Sequence, residues 1–233
     1  MNDTPRYLRR WLSATLLAGL LVMAAAGALF VYLADEVGEQ AWLTHFDLAV
    51  AQFFHQHGTP WSVHLFEAIT FFGNASTLGV IGLIVALVLA FHRRWSLLLG
   101  WAAALIGTGE LNTILKNIFR RVRPQLQNPW VTPPGWSFPS GHAMGSFVTY
   151  GFLAYLLTQV PWADFPRRTI IALLAVVVLL IGFSRIYLGA HFLSDVIGGY
   201  AAAAVWLTFC ILVTDRTQKK RPSAEHADNA EKK

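Results

Sequence analysis

Three short segments gather the residues that could do chemistry. KNIFRRVRP (116–124) sets Lys116, Arg120 and Arg123 at i, i+4 and i+7, one face of a helix, and Pro124 discourages further helix. WSFPSGH (136–142) places Ser140 where it can cap a helix start, and the free amides that follow form an anion site. Gly141 in that turn lets backbone approach a ligand closely. SRIYLGAHFLSD (184–195) puts Arg185, His191 and Asp195 between two of the most apolar stretches of the chain. His191 and Asp195 stand at i, i+4, so the carboxylate reaches one imidazole nitrogen if a helix begins there. That contact fixes the tautomer and basicity of the ring and leaves the histidine available as a nucleophile.

A lysine, arginines, a hydroxyl, helix-end amides, two histidines and one carboxylate form the set that phosphoryl transfer requires. Cations take the equatorial oxygens, a nucleophile stands in line, and an acid serves the leaving oxygen. Metal-dependent phosphatases hold their ions with carboxylate clusters. The three segments offer only Asp195, so the expectation is a metal-free mechanism without a cofactor.

Lys116 followed after six residues by Arg123-Pro124, then Pro139-Ser140-Gly141-His142, then Ser184-Arg185 with His191 and Asp195 spaced behind it, resemble the type-2 phosphatidic acid phosphatase family. Order and spacing both match over about residues 110–200, and FDLAVAQFF and ITFFGNAS upstream are similar to bacterial members with less specificity. The resemblance implies that His191 attacks phosphorus, Asp195 orients it, and His142 protonates the leaving group and later activates water. It further implies that Lys116, Arg123, Ser140, Gly141 and Arg185 bind the phosphate. Arg120 and Arg121 are not family-defining positions, although Arg120 shares the face of Lys116 and is a further candidate for substrate contact. The substrate implied is a lipid phosphate or diphosphate: undecaprenyl diphosphate, phosphatidylglycerol phosphate or phosphatidic acid. Two alternatives stay open, a lipid phosphotransferase using the same phosphohistidine and a transporter that only binds lipid phosphates.

These residues need elements that bring them to one place. The chain has 233 residues, 55% apolar and 13% charged, far from the balance of a soluble domain. Apolar runs near 11–33, 76–92, 96–115, 142–158, 169–187 and 193–214 are long enough to cross a bilayer. The expected fold is an all-α integral membrane protein, a bundle of six transmembrane helices forming one domain over 1–215. A polar, disordered tail follows over 216–233. AAAGA (24–28) resembles a signal cleavage site, but the apolar run continues past it, so the first helix is expected to be retained. Cys210 is alone and gives no disulfide framework.

Basic residues set the orientation. Of the 18 Lys and Arg residues, thirteen fall on one side of the six-span arrangement, in the N-terminus, the 93–94 and 167–168 turns and the tail. That side is expected to be cytoplasmic, with both termini on it, in the inner (plasma) membrane of a cell. The other five are Lys116, Arg120, Arg121, Arg123 and Arg185, on the face turned to the periplasm or exterior. The partners expected are the bilayer and a lipid phosphate, with no nucleic acid. Glu110 lies near membrane depth and is left out of the site. His45, His55, His57 and His64 lack metal-ligand spacing and read as surface histidines, beside an amphipathic interfacial helix over DLAVAQFFHQH.

Overall fold

The structure is a computed structural model that describes residues 6–39, 42–127, 129–159 and 166–219. Among them the regular elements are helices: α1 (Arg6–Glu39), α2 (Trp42–His57), α3 (Pro60–Phe71), α4 (Ala75–Phe91), α5 (Trp95–Phe119), α6 (Gly141–Thr158), α7 (Arg167–Tyr187) and α8 (Leu193–Lys219). The tail from Lys220 lies outside the described residues, while α8 continues through Lys219. Helix α1 runs unbroken through AAAGA and packs along α8, where Gly19 meets Leu212 and Gly27 faces Val205.

Helix α8 is the axis of the bundle, contacted by α1, α5, α6 and α7. Its core holds Trp101 of α5, Met144, Val148 and Phe152 of α6, and Ala203 and Leu207 of α8. Small residues let the helices close. A Cβ at Gly199 would stand 2.9 Å from the Ser140 carbonyl oxygen, so only glycine allows α8 to touch the start of α6. The outward surfaces carry Leu21 of α1, Leu83 and Leu87 of α4, Leu99 of α5 and Leu179 of α7, all exposed, an apolar belt suited to lipid.

Five stretches are long and apolar enough to cross a membrane: Ala14–Val37, Pro60–Phe91, Trp95–Phe119, Arg167–Tyr187 and Leu193–Gln218. The protein is therefore a multi-pass, all-helical membrane protein. Helix α6, the fourth of the six expected spans, falls outside this set because it carries His142, Ser146, Thr149 and three glycines. It is enclosed by α5, α7 and α8, so it has little need of a lipid-facing apolar surface. Helix contacts run antiparallel for α1 against α8, α4 against α5 and α5 against α8. The start of α1, the 93–94 turn and the end of α8 thus share one end of the bundle, opposite the three motif segments.

Helix α3 was not among the expected elements. Its start is well signalled: Thr59 caps it, Ser62 returns the bond to the Thr59 amide, and Pro60 opens the first turn. It packs on α7. Helix α2 is where the amphipathic segment was expected, but its buried stripe, Leu43, Asp47 and Ala51, turns towards the protein. Trp42, Phe46 and Phe53 face outward.

Candidate active site

Four helix ends deliver the motif residues. Lys116 sits in the last turn of α5, and its ammonium donates to the carbonyls of Trp136 (2.5 Å) and Ser137 (3.2 Å). The chain then leaves α5 through Arg120, whose left-handed backbone (φ 44°) closes the helix. Arg120 is exposed and turns back to donate to the Asn117 carbonyl, so its side chain is not part of the cluster. Arg123 donates to the carbonyls of Gly135 (3.0 Å), Pro134 (3.2 Å) and Ala190 (2.7 Å), and its guanidinium stands 3.1 Å from Nε2 of His191. The same cations hold the 134–137 loop and the turn before α8.

Ser140 caps α6 as its sequence suggests, accepting from the Ala143 amide, and its own amide donates to the Asp195 carbonyl at 2.9 Å. The first-turn amides at Gly141 and His142 have no acceptor within their own helix. His142 lies 2.8 Å through Nε2 from Oδ1 of Asn74. Arg185, in the last turn of α7, donates to Thr70 Oγ1 of α3 at 2.9 Å. Its Nε is buried without a partner among the described residues.

The α7–α8 turn carries the second histidine. Gly189 takes φ +69°, and a Cβ there would also press on Leu126, so glycine is needed to bring the chain round to His191. His191 is buried, with Nδ1 3.4 Å from Asp195 and 3.5 Å from the Ser137 hydroxyl, and Nε2 towards Arg123. The Asp195 contact is longer than a closed charge-assisted bond, and catalytic hydrogen bonds commonly tighten when substrate arrives. Burial pushes the His191 imidazole down to about 4, against the upward pull of Asp195. The ring is therefore neutral at ordinary pH, as a nucleophile must be.

Asp195 is saturated with donors: the Phe192 amide at 2.9 Å, the Ser137 hydroxyl, and Arg121 at 2.7 Å. Arg121 is the residue that sequence reasoning set aside. One arm of its guanidinium reaches Ser194 and Asp195, the other reaches Asp47 of α2 at 2.8 Å, and the plane lies 4.2 Å from the Phe192 ring centre. Asp47 also accepts from the Ser194 amide and hydroxyl. The clue to Asp47 was its register, an acid at i+4 between Leu43 and Ala51 on a buried stripe. Asn74, Thr70 and Ser137 carry no comparable sequence signal.

All eight sequence-predicted residues, Lys116, Arg123, Ser140, Gly141, His142, Arg185, His191 and Asp195, thus converge on one end of the bundle. The positive charges of Arg185, Arg123 and Lys116 all act on His142. Glu110 is exposed on α5. His55, His57 and His64 are bound to Gln127, Phe53 and Glu67 near the surface. Beneath Gly141 and His142 lies a cavity of about 590 Å³ between α4, α5 and α6, running down to Trp101. Its lips, Gly79 of α4 and Ile106 and Gly109 of α5, are exposed, so it opens sideways.

The PAP2 superfamily profile matches residues 95–219. Phosphatidylglycerophosphatase B of Bacillus subtilis (strain 168) is 35% identical over 145 residues, covering 61% of this chain and 70% of that protein. An undecaprenyl-diphosphatase of Sulfolobus acidocaldarius is 28% identical over 139 residues, covering 58% of this chain and 63% of that protein. The crystal structure of a transmembrane PAP2-type phosphatidylglycerolphosphate phosphatase from Bacillus subtilis superposes with a TM-score of 0.76 at 29% identity, covering 85% of this chain and 97% of that one. With more than half its length matched by the profile, the chain belongs to the PAP2 superfamily and is a membrane phosphatase.

Proposed function

We propose that this phosphatase hydrolyses a lipid phosphate or diphosphate through a phosphohistidine on His191, without a metal. The observation that carries the reading is the orientation of His191. Nδ1 faces Asp195 and Ser137, which leaves Nε2 beside Arg123 as the attacking atom. Lys116, Arg123 and Arg185, with the Gly141 and His142 amides, surround the place where three phosphoryl oxygens would sit. The buried, unpartnered Nε of Arg185 is a donor awaiting one of them.

His191 forms the bond to phosphorus as the bond to the leaving oxygen breaks, and His142 supplies that oxygen with a proton. In the second step His142 takes a proton from water, and the hydroxide displaces His191 to give inorganic phosphate. Ser140 holds the start of α6 against Asp195, which keeps the amides and the nucleophile in one frame. Lys116 and Arg123 exchange backbone carbonyls for phosphate oxygens when substrate binds.

The sideways cavity supports a lipid substrate, since a chain can lie between α4 and α5 while its head group reaches His142. Phosphatidylglycerol phosphate and undecaprenyl diphosphate are the leading candidates, after the relatives that act on them. We place six crossings in the inner membrane, α6 among them, with both termini cytoplasmic and the site on the periplasmic or exterior face. At the opposite end of the described bundle lie Arg6, Arg9 and Arg10, Arg93 and Arg94, Arg167 and Arg168, and Arg216 and Lys219, and this excess of positive charge supports the orientation. The experiment is trapping: enzyme quenched in alkali during turnover of labelled lipid phosphate should carry an acid-labile phosphoryl group, absent in His191→Ala. Label on His142, or none in an active enzyme, would overturn the mechanism.

A further inference from the structure

Asn74 joins α3 to α4, upstream of the segment that matches the family profile. It is the N-cap of α4, where asparagine is favoured because its side-chain oxygen accepts an amide of the first turn. Here the side chain makes no capping bond. Its Oδ1 instead meets Nε2 of His142, on another helix, at 2.8 Å. The segment is seated firmly against that ring: a Cβ at Gly73 would stand 2.5 Å from Ile181 and 3.2 Å from Cδ2 of His142. A cap has given up its local task, and the acceptor it frees is spent on a histidine of the site.

We propose that Asn74 is the positioning residue of His142, as Asp195 is of His191. This rests on reading His142 as the proton donor and then the base. An amide oxygen only accepts, so Nε2 of His142 carries a hydrogen in both protonation states. Proton traffic is then confined to Nδ1. The imidazolium gives its Nδ1 proton to the leaving oxygen and is left as the Nε2–H tautomer. The same Nδ1 lone pair next takes a proton from the attacking water, so the ring returns to its starting state without rotating.

An amide suits this histidine for an electrostatic reason. The charged and titratable groups acting on His142 are Lys116 of α5, Arg123 of the loop after it, Arg185 of α7 and His191 of the α7–α8 turn. Helix α4 contributes the neutral Asn74. A carboxylate in its place would favour the imidazolium strongly and make it a slower acid. An amide fixes the tautomer without that penalty.

The test compares matched lipid mono- and diphosphates in Asn74→Ala, Asn74→Ser, Asn74→Asp, His142→Ala and the Asn74→Ala/His142→Ala pair. A monophosphate expels an alkoxide that needs a proton, whereas a diphosphate expels a lipid phosphate, whose second pKa of about 6 lets it leave without one. General acid catalysis is worth roughly 10²–10⁴-fold, so His142→Ala should lose about that much kcat/KM on the monophosphate and far less on the diphosphate. Asn74→Ala should lose a smaller factor in the same substrate-selective pattern, and should cost nothing further once His142 is absent. Asn74→Ser, which supplies a capping oxygen too short to reach His142, should behave like Asn74→Ala and guards against a folding defect. Asn74→Asp should move the alkaline limb of the monophosphate profile to higher pH, because the carboxylate keeps His142 protonated. Losses that add fully in the double variant, with an unmoved alkaline limb in Asn74→Asp, would overturn the proposal. Equal losses on both substrates in His142→Ala would overturn the reading of His142 itself, while the double-variant comparison would still report whether Asn74 acts through it.

Discussion

Asp47 and Asp195, one from α2 and one from the first turn of α8, are held by the two arms of a single guanidinium, Arg121. Both carboxylates are fully buried and the arginine side chain is only 8% exposed, so one positive charge offsets part of two negative ones away from water, and the hydroxyl and amide donors of Ser137, Phe192 and Ser194 satisfy the rest. Breaking such a pair from one side leaves an uncompensated buried charge and costs about 3–5 kcal/mol. Arg121→Met should therefore lower the melting temperature in detergent sharply and remove activity. Asp47→Asn, which keeps a hydrogen-bonding shape, should do less on both counts. An Arg121→Met enzyme as stable and active as the parent would show that the clamp is incidental.

The motifs were legible because their chemistry is local. His191 and Asp195 are one helical turn apart, and Ser140 sits where a cap belongs, so spacing alone placed them. Arg121 and Asp47 were not, because nothing near Arg121 in sequence says that its partner is on another helix. Asn74 could be read as a cap, but only the packing of α3, α4 and α6 shows its oxygen spent on His142. Among the elements, apolar runs gave the long helices within a few residues. Helix α3 carries a readable start at Thr59, Pro60 and Ser62, but with 12 residues it is too short to cross a bilayer by itself. Helix α6 shows the limit of hydropathy, since a helix enclosed by its neighbours can carry His142, Ser146 and Thr149.

Acid should weaken the fold through His191. Its folded value, about 4, lies below the ordinary 6.5 because burial disfavours the charged ring. Between those two values an unfolded chain binds a proton that the folded one does not, so stability falls as pH drops from about 6.5 towards 4. The full depression corresponds to about 3 kcal/mol. His191→Gln lacks the group, so its melting temperature relative to the parent should rise steadily through that window. Parallel curves for the two proteins from pH 7 to 4.5 would contradict the burial argument.

Chelation should leave activity intact. Asp47 and Asp195, the buried carboxylates beside the histidines, are already engaged by Arg121, Ser137 and Ser194. A divalent ion would have to displace a guanidinium to use them. Turnover measured after dialysis against EDTA should match the untreated enzyme. Loss of turnover in EDTA that Mg²⁺ restores would place a metal in the mechanism. Vanadate should inhibit, because it adopts the five-coordinate geometry of the phosphoryl transfer proposed at His191.

Chain recognition should be separable from chemistry at Gly79. The cavity below His142 runs along α5 from Asn112 to Trp101, about 17 Å at 1.5 Å per residue. One leaflet of a bilayer core is about 15 Å deep, so the cleft has the depth of a single lipid chain. Gly79 lies on its lip, and a Cβ added there meets nothing within 4 Å, so a larger side chain can enter the opening without disturbing packing. Gly79→Leu should fill that space and leave Arg123, His142 and His191 untouched. Its KM for a long-chain lipid phosphate should rise several-fold, because the chain loses its apolar contacts before the phosphate reaches His191. Hydrolysis of a short, water-soluble phosphate ester, which has no chain to place, should keep the parent kcat/KM. Gly109→Leu, on the facing lip and equally free of contacts, should reproduce the effect. Equal losses on the long and short substrates would mean that the cleft does not take the chain, and that the lipid reaches His142 by another route.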